Sequence, residues 1–362
     1  MLNPLSSLKQ KFFPSFLGVD IGTNSIKIAE VKQGKQLPSL VNYGLLQSNS
    51  HLIRNNDVIQ SSNLKLSAEE VSRLLKLLVK KMKPSTNEVI ASLPTFSVFM
   101  TVLDFPDMSS SDLEKSLTFQ ARQHIPLPIS EVAIDWMSVG ERQDEQGFKF
   151  SQVLLISVPK ELIQKYREIF KSADLNLKSL EIESLSLARA AVGNDPTPSL
   201  IIDIGSHSTN ITFSEKGQIK FNSQSDYAGA SLTQALASSL NINPLRAEEL
   251  KRQHGLVSSG PTQELSTIMT PFLDVIINEV KKAQYNYESQ FPGAQKIERI
   301  ILSGGGANLT GVDKHFENEF SIPVIRANPF MRFEYPPEIE PLIRELNPLF
   351  SVPLGLTLKE FL

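Results

Sequence analysis

Two stretches on either side of the chain's midpoint repeat each other without a gap, and this repeat limits the possible folds more than any other feature. FLGVDIGTNSIKIAEVKQGK, from Phe16, aligns with SLIIDIGSHSTNITFSEKGQ, from Ser199. Asp20 then matches Asp203, Gly22 matches Gly205, Ser25 matches Ser208 and Gly34 matches Gly217. Each copy reads as an apolar strand, a D-I-G-[ST] turn and an alternating strand that ends in a K-x-G or E-K-G turn. That pattern is a β-hairpin with a polar, glycine-containing tip. Two copies so far apart imply two similar α/β lobes rather than a solenoid. A length of 362 residues also suits about two domains.

The intervening sequence supports lobes with helices. From Ser67 to Met82 the apolar positions Val71, Leu74, Leu75 and Leu78 recur at helical spacing, with Ser67 as cap and Glu70 at the capping-box position. Lys80, Lys81 and Lys83 crowd its end, where cations complement the helix dipole. From about 87 to 160 a different rhythm appears. Glu88–Leu93 and Val98–Phe105 are strand-like, Ser109–His124 is helical, and Ile134–Val139 and Val153–Val158 are strand-like again. This predicts a small α+β module inserted in the first lobe. Later, Pro244–Gly255 reads as a short helix, Ser258–Glu264 as a turn-rich loop and Pro271–Gln290 as a long amphipathic helix. A strand at Glu298–Leu302 then runs into SGGGANLTG.

A phosphate chain needs backbone N–H groups that approach closely, and small residues permit that approach. Gly22-Thr23-Asn24 and Gly205-Ser206-His207-Ser208-Thr209 are tips of this kind, rich in hydroxyls. Asp20 and Asp203 stand at the strand ends just before them. Paired carboxylates across a cleft suit the water shell of a magnesium–ATP complex, because magnesium keeps most of its hydration. Gly304-Gly305-Gly306-Ala307-Asn308 follows a third strand, and bare backbone there lets a flat ligand lie close. Glu248 and Lys251 share a helix face, positioned either for ribose and adenine or for an ion pair of their own.

Other chemistries are excluded. The chain has no cysteine, so it has no disulfide, thiolate metal site or cysteine nucleophile. Its five histidines lack metal-ligand spacing. Neither G-x-x-x-x-G-K-[ST] nor a strand followed by G-x-G-x-x-G occurs. A net charge of -3 disfavours nucleic acid as a partner. No run approaches the roughly 20 apolar residues of a membrane span, and the opening MLNPLSSLKQKFFPSF lacks a signal-peptide core, so a cytoplasmic protein is expected.

These residues carry a family resemblance. Asp20–Lys27, Asp203–Thr209 and Ser303–Asn308, in this order, resemble the phosphate-1, phosphate-2 and adenosine segments of actin, the sugar kinases and the 70-kDa heat-shock chaperones. The chain is most similar to the PilM family of type IV pilus assembly proteins, itself similar to the cell-division protein FtsA. The opening FLGVDIGTNSIKIAEV, the module segment FPDMSSSDLEKSLTFQARQHIPLPISEVAIDW and the closing VPLGLTLKEF carry that likeness.

The resemblance implies an α/β, actin-like (ribonuclease H-like) fold of two lobes that close on ATP and Mg2+. It implies a tail at 1–15, first-lobe parts at 16–86 and 161–198, and the inserted subdomain at 87–160. A second lobe with the nucleotide cleft follows at 199–345, and a terminal helix lies on the first lobe at 346–362. Asp20 would organise magnesium-bound water and Asp203 would face it. Glu183 would stand near an attacking water, and Lys27 matches a lysine common in the family opening. His207 and Asn210 depart from the small or hydroxyl residues more usual there, which leaves binding intact and hydrolysis open. The implied partner is the N-terminal cytoplasmic tail of a PilN-like inner-membrane protein, with other pilus motor or platform proteins and self-association as further options. The chain would then sit at the inner face of the cytoplasmic membrane through that partner. An FtsA-like division protein and a small-molecule kinase are the competing readings. The absence of a linker and amphipathic helix after Phe361-Leu362 argues against the first. The inserted module, unlike a kinase lid, argues against the second.

Overall fold

A computed structural model of the chain describes residues 14–47, 67–106, 108–144, 146–257, 263–291 and 293–362. Most of the expected tail, and residues 258–262 of the expected loop, lie outside them. The first lobe opens with β1 (Ser15–Ile21), β2 (Ser25–Lys32) and β3 (Ser39–Gln47), followed by α1 (Ala68–Met82) and β4 (Glu88–Leu93). Ser67 caps α1 by accepting the Glu70 N–H at 3.1 Å. The inserted module holds β5 (Phe99–Pro106), α2 (Ser110–His124), β6 (Val132–Gln143) and β7 (Lys149–Pro159). The chain then returns to the first lobe through α3 (Lys160–Ser172), β8 (Asn176–Ile182) and α4 (Glu183–Ala191).

The second lobe repeats the plan. It runs β9 (Ser199–Ile204), β10 (Thr209–Glu215), β11 (Gln218–Ser225), α5 (Gly229–Leu240), α6 (Pro244–His254), α7 (Gln263–Gln290), β12 (Arg299–Ser303), α8 (Val312–Phe320) and β13 (Val324–Arg326). It closes with α9 (Ile343–Leu349) and α10 (Ser351–Leu358). The first sheet has the order β3-β2-β1-β4-β8, and the second has β11-β10-β9-β12-β13. In each, three antiparallel strands continue into two parallel ones. The sequence repeat is therefore a repeat of topology. Each hairpin tip even closes with the same bond, Gly22 N–H to Ser25 O and Gly205 N–H to Ser208 O, both 2.9 Å.

Three expectations change. Glu88–Leu93 is not part of the module: it lies between β1 and β8 in the first sheet. Five of its six residues are buried, as a central parallel strand requires, and this run looks the same in sequence as a strand of a small module. The module therefore begins after Leu93. The long helix starts at Gln263 rather than Pro271, which lies inside it at the cost of one ladder hydrogen bond. Finally, the terminal helix α10 touches both lobes. All eight of its residues are buried. With α4 it fills the space between the sheets, where Leu187, Ala188, Val352 and Leu356 meet Phe16 and Ile90 from one side and Ile201 and Ile301 from the other.

Candidate functional site

The two hairpin tips and the β12 glycine turn border one cleft of about 830 Å³ between the lobes. Asp20, Gly22, Thr23, Asn24, Lys27, Glu183, Asp203, Gly205, Ser206, Ser208, Glu248, Lys251, Gly304, Gly305, Gly306 and Asn308 all line it. Two expected residues do not. Thr209 is fully buried, and its hydroxyl donates to the Tyr227 carbonyl at 2.7 Å, so it fastens the start of β10 to the loop before α5. His207 instead reaches across the mouth, where its Nδ1 lies 3.3 Å from the Thr23 hydroxyl and links the two tips.

The register of the strands places charge at the centre. Asp20 pairs with Lys27 across β1–β2, and Asp203 pairs with Asn210 across β9–β10. Asp20 is 4% exposed; Lys27 Nζ donates to its Oδ2 at 2.8 Å and the Ser92 hydroxyl to its Oδ1 at 2.8 Å. Burial works to lower the Lys27 pKa, but the carboxylates of Asp20, Asp203 and Glu183 outweigh it and hold that pKa above its ordinary value. Glu183 opens α4, and its Oε1 accepts the Thr95 N–H at 2.9 Å and the Asn210 amide at 2.8 Å. Burial first, and the Asp20 charge second, push the Glu183 pKa up to about 7. Burial also raises Asp203 to about 6, against the pull of Lys27 and the Ser303 hydroxyl.

Three carboxylates thus share one lysine in a desolvated cleft, an imbalance that a bound cation would relieve. Among the described residues no group of three or more metal-ligating side chains forms a cage. Asn24 Oδ1, Thr95 Oγ1 and Asn210 Oδ1 are buried without a protein partner, and all three belong to residues in or beside the cleft. Buried polar atoms of that kind fit a hydrated ligand.

The raised acid has a measurable consequence. Between its unfolded value near 4.5 and its folded value near 7, Glu183 holds a proton that the unfolded chain has released. The native state then binds more protons than the unfolded one, so stability falls as pH rises through this window. Glu248, lowered to about 2, has the opposite sign, but it acts only below its unfolded value near 4.5. The ligand-free chain is expected to melt at a higher temperature at pH 5 than at pH 7.5. Asp203, raised to about 6, adds the same sign in the lower part of this range, so Glu183→Gln should reduce the slope chiefly between pH 6 and 7.5, and calorimetry with an unchanged slope there would count against the assignment.

At the far end of the cleft the open question about Glu248 and Lys251 resolves into a buried pair. Lys251 Nζ lies 2.6 Å from Glu248 Oε2 and also donates to Gly229 O at 2.9 Å and to Thr233 Oγ1 at 2.7 Å. Two of its donors hold α6 against the start of α5, and the third pairs with Glu248 on α6 itself. Burial would raise the Glu248 pKa, but Lys251, Thr233 and Arg252 together pull it down to about 2. The pair thus shapes the cleft wall. Nothing in the sequence marks Ser92, Thr95 or Arg344 as site residues. Ser92 enters from the end of β4, Thr95 from the turn that leads into the module, and Arg344 lines the cleft from α9. None sits in a motif, and only the packing of distant segments brings them here. Asn210, a departure from the family pattern, is the residue that grips Glu183.

Comparison with known proteins agrees with this geometry. A family model described as type IV pilus assembly protein PilM matches residues 18–361. Among curated relatives, the cell division protein FtsA of Enterococcus hirae is 22% identical over 357 residues, covering 85% of this chain and 77% of its own length. Among solved structures, the PilM-PilN type IV pilus biogenesis complex superposes with a TM-score of 0.78 at 22% identity, over 95% of this chain and 97% of that chain. MreB 5 of Spiroplasma citri bound to AMPPNP gives a TM-score of 0.53 at 16% identity, over 96% of each chain. The ethanolamine utilization protein EutJ from Carboxydothermus hydrogenoformans gives 0.54 at 18%, over 95% of this chain and 89% of its own. These structural likenesses establish the actin-like ATPase fold. With the family model running from residue 18 to residue 361, the chain belongs to the type IV pilus assembly protein PilM family.

Proposed function

We propose that this protein is an ATP-binding scaffold of the type IV pilus assembly machine, in which nucleotide sets lobe closure and closure sets partner binding. One observation carries the nucleotide half. Two hairpin tips with the same closing bond face each other beside a third, glycine-built turn, around a cluster with surplus negative charge. Backbone N–H groups of Thr23 and Asn24, and of Ser206, would cradle the phosphates, with Gly22 and Gly205 shaping the tips through their closing bonds. Gly304, Gly305, Gly306 and Asn308 would border the adenosine. Asp20 and Asp203 would hold magnesium through its waters, and bound magnesium would offset phosphate charge. Glu183, with Asp203 and Asp20, supplies the groups available to orient a water. The MreB 5 structure bound to AMPPNP supports the same reading by analogy of fold.

The partner half rests on the likeness to the PilM-PilN complex. The partner is a PilN-like protein whose N-terminal cytoplasmic tail docks on this chain and holds it at the inner membrane. No helix among the described residues is long and apolar enough to cross a membrane, so attachment through a partner fits. A second groove of about 580 Å³ offers a place for the tail. It runs beside the module between Met137 and Val139 on one side and Leu37, Pro38, Leu185 and Phe361 on the other. Thermal unfolding with ATP and magnesium tests the first half, and the expected result is a clear upward shift. A synthetic PilN-like tail peptide tests the second by fluorescence anisotropy. Met137→Asp is expected to weaken its binding about tenfold or more, by placing a charge in an apolar groove. Unchanged binding by that variant would remove this groove from consideration.

A further inference from the structure

The inserted module is covalently part of the first lobe: chain enters it after Leu93 and leaves it at Pro159. Its packing is divided differently. The β5-β7-β6 sheet has two faces. One is covered by the module's own α2, through Phe105, Leu117, Ala121, Val132, Val153 and Leu155. On the other face, Val102, Val139, Leu154 and Ile156 join a single buried cluster made mostly of second-lobe residues, among them Ile211, Phe213 and Tyr287, with Ile182 at the end of β8 as its buried first-lobe member. Among the described residues, the first-lobe cluster draws on the module only through the partly buried Val98 and Val158, which sit at its two points of attachment.

A buried lysine fastens that second contact. Lys220 lies on β11 and is 7% exposed. Its Nζ donates to the Val139 carbonyl and, at 2.8 Å, to Gln152 Oε1. The module is built to receive it. The β6–β7 register shifts between Ser138 and Gly140, which breaks the ladder beside Val139. Gly140 has φ 122°, and a Cβ there would stand 2.7 Å from Lys220 Nζ and 3.2 Å from Gln218 Oε1. Behind the latch, the Gln152 amide donates to Asp104 at 3.4 Å, and Arg142 Nε donates to the same carboxylate at 2.6 Å. The bond is thereby tied into all three module strands. At the other end, the turn Pro94–Ser97 that leads into β5 is held to the cleft by the Thr95 N–H on Glu183.

We propose that the inserted module moves as part of the second lobe, clamped there by Lys220, and hinges on the first lobe at Pro94–Ser97 and Pro159. Lobe closure then turns the module against the first lobe. Val139, whose carbonyl takes the latch, also lines the groove opposite Leu37, Pro38 and Phe361, so the groove changes width as the lobes move. This consequence rests on the groove and nucleotide readings above; the clamp itself rests on neither.

The chain has no cysteine, so introduced pairs can be spin-labelled without background. Phe148→Cys on the module is combined with Tyr285→Cys on α7 of the second lobe, or with Leu77→Cys on α1 of the first; all three positions are exposed. In the nucleotide-free protein, electron–electron distance measurements should give a narrower distribution for 148–285 than for 148–77. Lys220→Met should broaden 148–285 about twofold, as expected when a local tie is cut, and Gln152→Leu should do so to a lesser degree. Adding ATP and magnesium should shift 148–77 and leave 148–285 in place. A narrow, unmoved 148–77 with a broad or shifting 148–285 would overturn the clamp, as would Lys220→Met and Gln152→Leu both leaving 148–285 unbroadened. Loss of ATP-induced thermal stabilisation would instead overturn the nucleotide reading, since the comparison of widths needs no nucleotide.

Discussion

Replacing Gly304 with valine is expected to abolish stabilisation by ATP and to lower the melting temperature of the ligand-free chain. Gly304 has φ 77° and ψ -179°, a combination that L side chains rarely adopt. A Cβ at this position would stand 2.5 Å from the Ile204 carbonyl oxygen and 2.8 Å from Asp203 Oδ1. The first is backbone of the central strand β9 and cannot swing away. The second is a carboxylate assigned to magnesium-bound water. The backbone strain alone costs about 1–3 kcal/mol, and valine adds a clash that displaces either β9 or the turn itself. For the wild-type chain, ATP about a hundredfold above its dissociation constant would add about 2.7 kcal/mol of stability. The variant should show none of this in a thermal shift series. If ATP stabilises it as well as wild type, the glycine turn does not border the nucleotide.

A comparably large effect is expected from one methyl group on α10. Gly355→Ala would ordinarily help a helix by roughly 0.5–1 kcal/mol. Here the added Cβ would meet the Ser186 carbonyl oxygen of α4 at 1.9 Å and its carbon at 2.6 Å. The two helices cross at backbone contact between the sheets, and neither can retreat without opening the shared cluster of Leu187, Ala188, Val352 and Leu356. Overpacking of this kind costs about 1–3 kcal/mol, occasionally more, so the sign reverses. Denaturant unfolding should place the variant below wild type. A neutral or stabilising result would show that α4 and α10 can slide, and with them the two lobes. Gly18, whose Cβ would meet Pro353 O at 2.0 Å, marks the same close approach from β1.

Much of this architecture is legible in the order of the residues alone. The in-register repeat announces two lobes, because a hairpin tip must place small residues where the backbone turns and polar ones where it meets solvent. The glycine triplet after an apolar strand can be read for the same reason. Segments whose meaning depends on what packs beside them mislead. Glu88–Leu93 reads as part of the module because a buried central strand and a short module strand share the same apolar run. The terminal helix reads as belonging to one lobe, although its small and apolar residues on every face suit a helix held between two. Thr209 reads as a phosphate contact from its position beside the tip, but the strand pleat turns it inward to the Tyr227 carbonyl.

The repeat, the two tips, the acidic strand ends and the family can all be read from residue order, since each depends on residues close together in the chain. The chemistry of those residues comes from what packs around them. Glu183 is only the first acid of a helix until Thr95 and Asn210, far away in sequence, close on one of its oxygens and burial lifts its pKa to about 7. Lys220 is one lysine in an alternating strand until Val139 and Gln152 enclose it and join the module to the lobe that did not encode it. Burial and long-range pairing follow from the packing of the whole chain, and local spacing carries no record of them.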